Sequence, residues 1–287
     1  MFSGYRYIDC LKQVSLYDIL DETQDFSDAP ALIAIRELLT LLDDNSPTAS
    51  CMIDTLASYD FKFSIDSDLS WDENGFQSEI VAILFPEISP RDIQLQKNQG
   101  RLMINLISAL RRGLKANQGY RERFDMCPQD FLRLNRLVEA DIDAVTVQVA
   151  WELRTADQPA AWRQYLAGEK GDLAIVFANR LKSDPLAAFN GKALRAAFRQ
   201  WFAMPARPDS ADRTALEFLD MALALKSAVK IKADTKLCDN DLRRIQKTLP
   251  FSDYLTDMNV MGSWFDGLCD ANNRKHLSHI ITELNNN

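Results

Sequence analysis

The sequence is short of the residues that most enzymes use for metal or phosphate chemistry. It has 287 residues but only two histidines, His276 and His279, both near its end. Zinc needs three or four close ligands, so this pair predicts at most a weak surface metal site, and two solvated histidines explain it more simply. The ten glycines form no glycine-rich phosphate loop. No serine stands in the glycine-flanked pattern of a nucleophile elbow.

Closely spaced cysteine pairs, an excess of basic charge and long apolar runs are absent as well. The five cysteines include no Cys-x-x-Cys pair, so we expect reduced, buried thiols. A net charge of −8 argues against nucleic acid as the main partner. No run approaches the roughly 18 apolar residues of a membrane span, and the first residues lack a signal-peptide pattern. We therefore expect a cytoplasmic protein with neither a membrane nor a nucleic-acid partner.

Helical periodicity is abundant, and it is strongest in residues 131–154, which contain neither glycine nor proline. Apolar residues there fall on two nearly opposite faces, which predicts a central helix packed on both sides. Two narrow polar strips remain between these faces: Asp141, Gln148 and Glu152 in one, and Glu139, Asp143 and Thr146 in the other. We expect one strip to meet water and the other to find partners inside, since buried carboxylates are costly unless paired.

The remaining periodic segments predict a mainly α (α+β) fold with a small β-sheet or hairpin. Ser46-Pro47, Ser89-Pro90 and Pro128 predict helix starts. Strand patterns occur at 61–65 and 79–85, with a turn signal at Asn74-Gly75 between them. Further helices are predicted at 30–42, 47–59, 90–117, 159–166, 171–181, 185–202, 211–231, 239–249 and 273–284. We predict a single domain, 1–287, with a core at 45–205 and a C-terminal helical extension at 206–287.

Two charged groups near the central helix are candidates for chemistry. Glu139 and Asp143 lie four residues apart on one helix face, a spacing that suits acid–base catalysis when the environment separates their pKa values. A solvated face or an ion-pair network explains the same spacing. Arg111, Arg112 and Lys115 cluster near the end of the preceding helix, where cations favour the helix macrodipole without any further role.

Several of these segments together resemble a family of uncharacterised bacterial proteins described as metallopeptidases. The residues that carry the resemblance are LNRLVEAD at 134–141, AWEL at 150–153, NGKA at 190–193, RAAF at 195–198 and Trp201-Phe202. The resemblance spans roughly residues 45–205, and it implies a zincin-like helical domain. It also implies a His-Glu-x-Arg-His motif on the helix before the acidic helix, with two zinc-binding histidines and a water-activating Glu.

In this sequence the motif is degenerate. The matching positions are Ser108, Ala109, Leu110, Arg111 and Arg112, so only the arginine of the motif is kept. No histidine lies nearby, and a shift of the register does not supply one. The acidic helix is retained, with Glu139 the best match to the family's carboxylate ligand. The resemblance thus implies vestigial catalytic positions at Ser108, Ala109 and Arg112, with no intact catalytic residue, no metal and no cofactor.

Three functions follow as hypotheses. The first is a catalytically degenerate metallopeptidase that binds a protein or peptide partner through a vestigial cleft formed by Arg111, Arg112, Glu139 and Asp143. The second is an active metallopeptidase, or another hydrolase, with rebuilt site residues. The third is a helical structural or assembly protein. If the metal is lost, the buried carboxylate needs another counter-charge, and we predict that Arg112, or failing that Arg111, reaches Glu139 in its place.

Overall fold

The computed structural model describes these residues of the chain: 13–59, 61–71, 75–77, 82–120, 126–224, 236–238, 245, 254–255 and 270–286. They are mainly α-helical with a small β-sheet, which confirms the predicted fold class. The chain groups into two compact units, Met1–Leu114 with Val149–Gln164 and Lys115–Gln148 with Tyr165–Asn287. The single-domain organisation stays a prediction, as do its inner boundaries. Among the described residues, no helix is both long enough and apolar enough to cross a bilayer.

The first unit starts with a short strand and three helices. Strand β1 (Gln13–Ser15) runs into helix α1 (Leu16–Leu20), which is followed by α2 (Pro30–Asn45) and α3 (Pro47–Ala57). Ser46 caps α3 as predicted, because its hydroxyl accepts the N–H of Ala49 at 3.0 Å. Helices α2 and α3 contact each other and bury a shared set of apolar side chains: Ile35, Leu38, Leu39, Met52, Ile53 and Leu56.

A four-stranded sheet completes the first half of this unit. It consists of β1, β2 (Lys62–Asp66), β4 (Ala82–Pro86) and β3 (Gly75–Gln77), in that order. The two predicted strands are confirmed as β2 and β4, but they pair in parallel and so form no hairpin with each other. Strand β3 pairs antiparallel with β4 and begins at Gly75, where we had predicted a turn. Asn74 lies outside the described residues.

Helix α4 (Gln96–Lys115) follows the sheet and contains residues 108–112, the predicted motif positions. Its predicted start at Ser89-Pro90 is wrong, because the N–H and hydroxyl of Ser89 donate to Asp92 Oδ2 at 2.8 and 2.7 Å in a short 3-10 turn. The predicted apolar stripe is confirmed as buried: Met103, Leu106, Ile107, Leu110 and Leu114. A Cβ at Gly113 would lie 2.3 Å from Cζ of Phe61, so α4 approaches the Phe61 ring where a glycine leaves room.

Helix α5 (Pro128–Thr155) is the predicted central helix, and it contributes residues to both units. The helices described after it are α6 (Ala160–Ala167), α7 (Gly171–Ser183), α8 (Lys192–Trp201), α9 (Ala206–Ala224) and α10 (Ala271–Asn286). In the second unit α5, α9 and α10 share a buried apolar cluster: Phe131, Leu132, Ala215, Leu216, Leu219 and Ile280. Except for Ile245, the helix predicted at 239–249 falls outside the described residues.

The helix predicted at 185–202 is interrupted at Gly191. Residues Pro185–Ala188 form a 3-10 turn, and α8 begins only at Lys192. Gly191 lies between them as the N-cap of α8, buried and with a left-handed φ of 71°. Glycine suits this position. The reason is conformational, because L-residues other than glycine adopt this φ at a cost.

Candidate functional site

The motif positions predicted on α4, residues 108–112, are largely internal. Ala109 is 1% exposed and Arg111 is 0% exposed, whereas Ser108 and Arg112 are half-buried. Arg111 stands four residues after Ile107 and three before Leu114, so it shares the apolar face of the helix. It is the largest fully buried side chain among the described residues. Arg111 is therefore not a solvated cation at the end of a helix.

The burial of the two polar strips of α5 contradicts the expectation that one of them meets water. Asp141 and Thr146 are 0% exposed, Gln148 is 4% and Asp143 is 5% exposed. Glu139, at one end of the second strip, is half-buried. Both strips are thus mainly inside, and each buried carboxylate needs a compensating donor or cation.

Asp141 finds that compensation in a buried cation and a phenol. Nζ of Lys115, the last residue of α4, lies 3.2 Å from Asp141 Oδ2, and the two side chains are 2% and 0% exposed. The hydroxyl of Tyr254 donates to Asp141 Oδ1. The ammonium of Lys115 also donates to the backbone carbonyl of Ile245. Asp141 is therefore an internal anchor of the second unit.

Asp143 is held by donors from two other elements. Its Oδ1 accepts Lys170 Nζ at 2.6 Å, and its Oδ2 accepts the indole Nε1 of Trp201 at 2.8 Å. Tyr165 donates its hydroxyl to the backbone carbonyl of Asp143 at 3.3 Å. Burial, with the repulsion of the Asp143 carboxylate, raises the pKa of Tyr165 well above its usual 10, so the phenol stays protonated. Both carboxylate oxygens of Asp143 are engaged in structure, which favours the ion-pair network over acid–base catalysis.

A third buried carboxylate joins α5 to α9. Nε and Nη2 of Arg136 reach Oδ1 and Oδ2 of Asp212 at 2.6 Å each, a bidentate pair. The side chains are 3% and 0% exposed. The pair fixes the position of the acidic helix against α9 inside the second unit.

A fourth buried carboxylate, that of Glu152, lies in the first unit. Glu152 Oε2 accepts the hydroxyl of Ser46 at 2.5 Å and the N–H of Thr48 at 3.1 Å, and its Oε1 accepts the hydroxyl of Thr48 at 2.7 Å. These donors belong to the N-terminus of α3, where a negative charge is favourable. Glu152 is 8% exposed, so it is an internal helix cap.

Both histidines lie far along the chain from the motif. They stand on α10, where His276 Nε2 is 2.8 Å from Asp220 Oδ2 and His279 Nε2 is 3.2 Å from Glu283 Oε1. Both rings are substantially exposed, at 36% and 68%. Two solvent-exposed histidines beside carboxylates match the simpler of our two sequence interpretations.

The described cysteines are Cys51, Cys127 and Cys238, and all three are thiols. The expectation of buried thiols is wrong for them, since the first two are half-buried and Cys238 is exposed. Partial burial raises the pKa of the Cys127 thiol, which keeps it protonated and unreactive.

Comparison with protein families identifies the chain. The family model described as "Putative metallopeptidase family (DUF6782)" matches residues 91–250, more than half of the sequence. The chain belongs to this family. The matched range includes all the residues that carry the resemblance, in and near α5 and α8, and the predicted motif positions on α4. It begins and ends later than the range of 45–205 that the resemblance spans. No curated protein and no solved structure matches the chain.

The residues at the motif positions predicted from the resemblance do not fit a zinc ion. If Ser108 and Arg112 match the two histidines, as the resemblance implies, neither side chain replaces an imidazole as a zinc ligand. Within the described ranges, no group of three or more His, Cys, Asp and Glu side chains is placed to hold a metal ion. Of the acidic-helix carboxylates, Asp141 and Asp143 are engaged by cations of the chain itself.

The structure describes where the predicted site residues lie. It places Asp143 in a network with Lys170 and Trp201, and it places Arg111 inside. The binding roles of Arg111, Arg112, Glu139 and Asp143, and the predicted approach of Arg112 or Arg111 to Glu139, stay predictions. The side chains that pair with the carboxylates of the acidic helix were not predicted from the sequence. Lys115 is the one of them whose burial the sequence indicates, since it follows Arg111 by one turn on the same face of an amphipathic helix.

Proposed function

We propose that this chain is a catalytically degenerate member of the metallopeptidase family that binds a protein or peptide partner instead of hydrolysing it. The observation that carries the proposal is the placement of the histidines. The sequence has two, and both are on α10, paired with carboxylates. The motif helix α4 therefore has no imidazole for zinc, and Ala109 replaces the Glu that would activate water.

The retained scaffold supports binding as the remaining role. The acidic helix is kept, but its carboxylates Asp141, Asp143 and Glu152 hold the fold together. Among the four residues predicted to bind, Arg112 and Glu139 are half-buried and still reach the surface. We propose Ser108 and Arg112 in the first unit, and separately Glu139 in the second unit, as residues that contact the partner. Peptide is the partner class because a degenerate peptidase keeps the shape of a peptide-binding scaffold.

Restoring the lost ligands tests the degeneracy directly. The variant Ser108→His/Arg112→His changes two half-buried positions. The variant that adds Ala109→Glu also restores the general base. Each should gain about one zinc ion per chain, measured by elemental analysis after dialysis, because two histidines and a carboxylate make a zinc site. The matched control Ile175→His/Asn179→His places two histidines four residues apart at exposed positions of one helix, α7, and should gain none.

The variant Ser108→His/Arg112→His keeps the test valid if the triple variant misfolds. Misfolding of the triple variant is a risk because Ala109 is buried and a glutamate there is costly. If the Ser108→His/Arg112→His protein folds but holds no zinc, the assignment of the motif to these positions is contradicted. That result would favour the helical structural or assembly protein, the hypothesis that involves no lost site.

Partner binding needs a second experiment. The purified chain is used as bait in a lysate of its native host, beside Arg112→Glu and Glu139→Lys. The control is Arg199→Glu, an exposed charge on α8. We expect a captured protein that is lost with both test variants and kept with the control. A partner retained by both test variants would contradict binding through Arg112 and Glu139.

A further inference from the structure

The turn before α8 displays two large apolar side chains to solvent. Leu186 is 67% exposed and Phe189 is 64% exposed, whereas Ala187 and Ala188 between them are buried. Folding gains most from burying the large apolar side chains, so this turn reverses the usual order. Nine large apolar side chains are exposed among the described residues, and only Leu186 and Phe189 lie within four positions of each other. Neighbouring exposed apolar side chains of this kind indicate an interaction surface, whereas single scattered ones do not.

Local hydrogen bonds fix the conformation of this turn. Leu186 lies in the 3-10 turn and Phe189 directly follows it, and a period of three residues places their side chains one above the other. The carboxylate of Asp184 accepts the N–H of Leu186 at 3.2 Å, and the carbonyl of Leu186 accepts the N–H of Phe189 at 3.0 Å. On the other side, Asn190 Oδ1 accepts the N–H of Lys192 at 3.1 Å. A surface that is ordered before binding loses little conformational entropy when a partner docks.

Three cations flank the apolar pair. Arg180 and Lys182 lie in the last turn of α7, and Lys192 begins α8. Asp184 lies between the two helices, and its Oδ2 is 3.7 Å from Nη2 of Arg180 and 3.5 Å from Nζ of Lys192. These two cationic side chains are 41% and 50% exposed, so they can also reach a carboxylate of another molecule. One carboxylate does not neutralise three cations, so the turn is locally basic on a chain whose net charge is −8.

We propose that this surface, called here the α7–α8 surface, binds an acidic segment of a protein partner that also carries apolar side chains. The surface consists of the apolar pair and the three cations: Arg180, Lys182, Leu186, Phe189 and Lys192. The apolar side chains of the segment cover the exposed pair, and its carboxylates meet the cations, so that shape and charge are both complementary. The residues of the proposed function are not part of this surface, so the partner chemistry stated here does not depend on that function.

The number of cations favours a short acidic segment over a nucleic acid or a membrane. Specific binding of DNA commonly uses roughly six to ten phosphate contacts. Recruitment to an anionic membrane commonly uses clusters of about four to eight Lys and Arg residues. The α7–α8 surface has three, and an extended polyanion would also meet the negative charge of the rest of the chain. A short segment meets mainly the local positive charge, since charges beyond about 8 Å are largely screened at physiological salt.

Fluorescence anisotropy with the full chain tests this binding. The probe is a short fluorescein-labelled peptide in which one leucine and one phenylalanine stand among glutamates. We expect saturable binding that weakens as salt rises from about 50 mM to about 500 mM. Leu186→Ala/Phe189→Ala and, separately, Lys192→Glu should each raise the dissociation constant about tenfold. The matched controls are Leu95→Ala, which shortens a side chain that is 64% exposed, and Lys97→Glu, which reverses an exposed charge, and both should bind like wild type.

Two further probes test the chemistry of the segment. A peptide with lysine in place of every glutamate, and one with glycine in place of the leucine and phenylalanine, should each bind at least about tenfold more weakly than the acidic probe. Equal binding of either peptide would overturn the proposal, and so would the absence of saturable binding of the acidic probe. An equal loss of binding in the test and control variants would overturn it as well, because the α7–α8 surface would then have no special role.

Flotation with vesicles of phosphatidylserine and phosphatidylcholine separates a lipid surface from a protein segment. If the chain floats with these vesicles, loses this in Lys192→Glu and does not bind the acidic probe, the surface recognises anionic lipid and the proposal is overturned. Circular dichroism checks that each variant folds. If Leu186→Ala/Phe189→Ala does not fold, Lys192→Glu decides, because it changes an exposed side chain at the start of α8, where a negative charge is favourable.

Discussion

The Arg136–Asp212 pair gives the most quantitative prediction about the acidic helix. Arg136→Met removes the guanidinium and leaves the Asp212 carboxylate at 0% exposure, without the two 2.6 Å hydrogen bonds that compensate it. The methionine keeps most of the apolar stem, so the loss is mainly electrostatic. Breaking a buried pair from one side costs about 3–5 kcal/mol, whereas an exposed pair contributes less than about 1 kcal/mol. We expect a loss of about 4 kcal/mol in the free energy of unfolding.

Urea denaturation followed by far-UV circular dichroism measures this loss. Arg180→Met is the matched control, since Arg180 is 41% exposed and 3.7 Å from Asp184. The double variant Arg136→Met/Asp212→Leu replaces both charges by apolar groups and should recover part of the stability. Equal stabilities of Arg136→Met and Arg180→Met would refute the reasoning, because the buried pair would then behave like an exposed one.

Three further predictions concern other residues. Glu152→Gln should lower the free energy of unfolding by about 2 kcal/mol, measured by urea denaturation, because one amide cannot accept from Ser46 and Thr48 as a carboxylate does. An unchanged value would contradict the capping role. Gly191→Leu should cost about 1–2 kcal/mol at a left-handed φ of 71°, with Gly191→Asn better tolerated, and equal melting temperatures would show that the conformation is incidental. Burial alone would raise the pKa of Asp172, but its hydrogen bonds to Arg207 and Gln200 and the Arg207 charge outweigh it and hold that pKa below the usual 3.8. The stability that wild type has over Asp172→Asn should therefore be full above about pH 5 and disappear as pH falls through the lowered folded pKa, and a constant difference from pH 6 to pH 2 would refute this.

The helices and strands that could be predicted are those whose start or period is specified by residues close together in the sequence. The cap and proline at Ser46-Pro47 mark the start of α3, and the 3.6-residue period of α5 is visible in its own sequence. Ser89-Pro90 has the same local pattern, yet Asp92 accepts the Ser89 donors in a 3-10 turn and delays the helix. The parallel pairing of β2 with β4 could not be predicted, because strand register depends on contacts between distant segments.

The same dependence on contacts between distant segments limits what the sequence predicts about the candidate site. The loss of the motif ligands at Ser108, Ala109 and Arg112 is predicted from the sequence alone and stays a prediction. The partners of the acidic helix could not be predicted, because Asp141 meets Tyr254 across 113 residues of chain. Two apolar faces on α5 do imply that little of its surface meets water, and that geometry could have predicted the burial of both polar strips.

Metal content of the purified wild-type protein tests the central claim most directly. The protein is dialysed against buffer with a small excess of zinc and then against zinc-free buffer, and zinc per chain is measured by elemental analysis. The account predicts well below one zinc ion per chain and a melting temperature that chelator leaves unchanged. One zinc ion per chain, retained through dialysis and needed for stability or for peptide hydrolysis, would contradict it and would point to a metallopeptidase with rebuilt ligands.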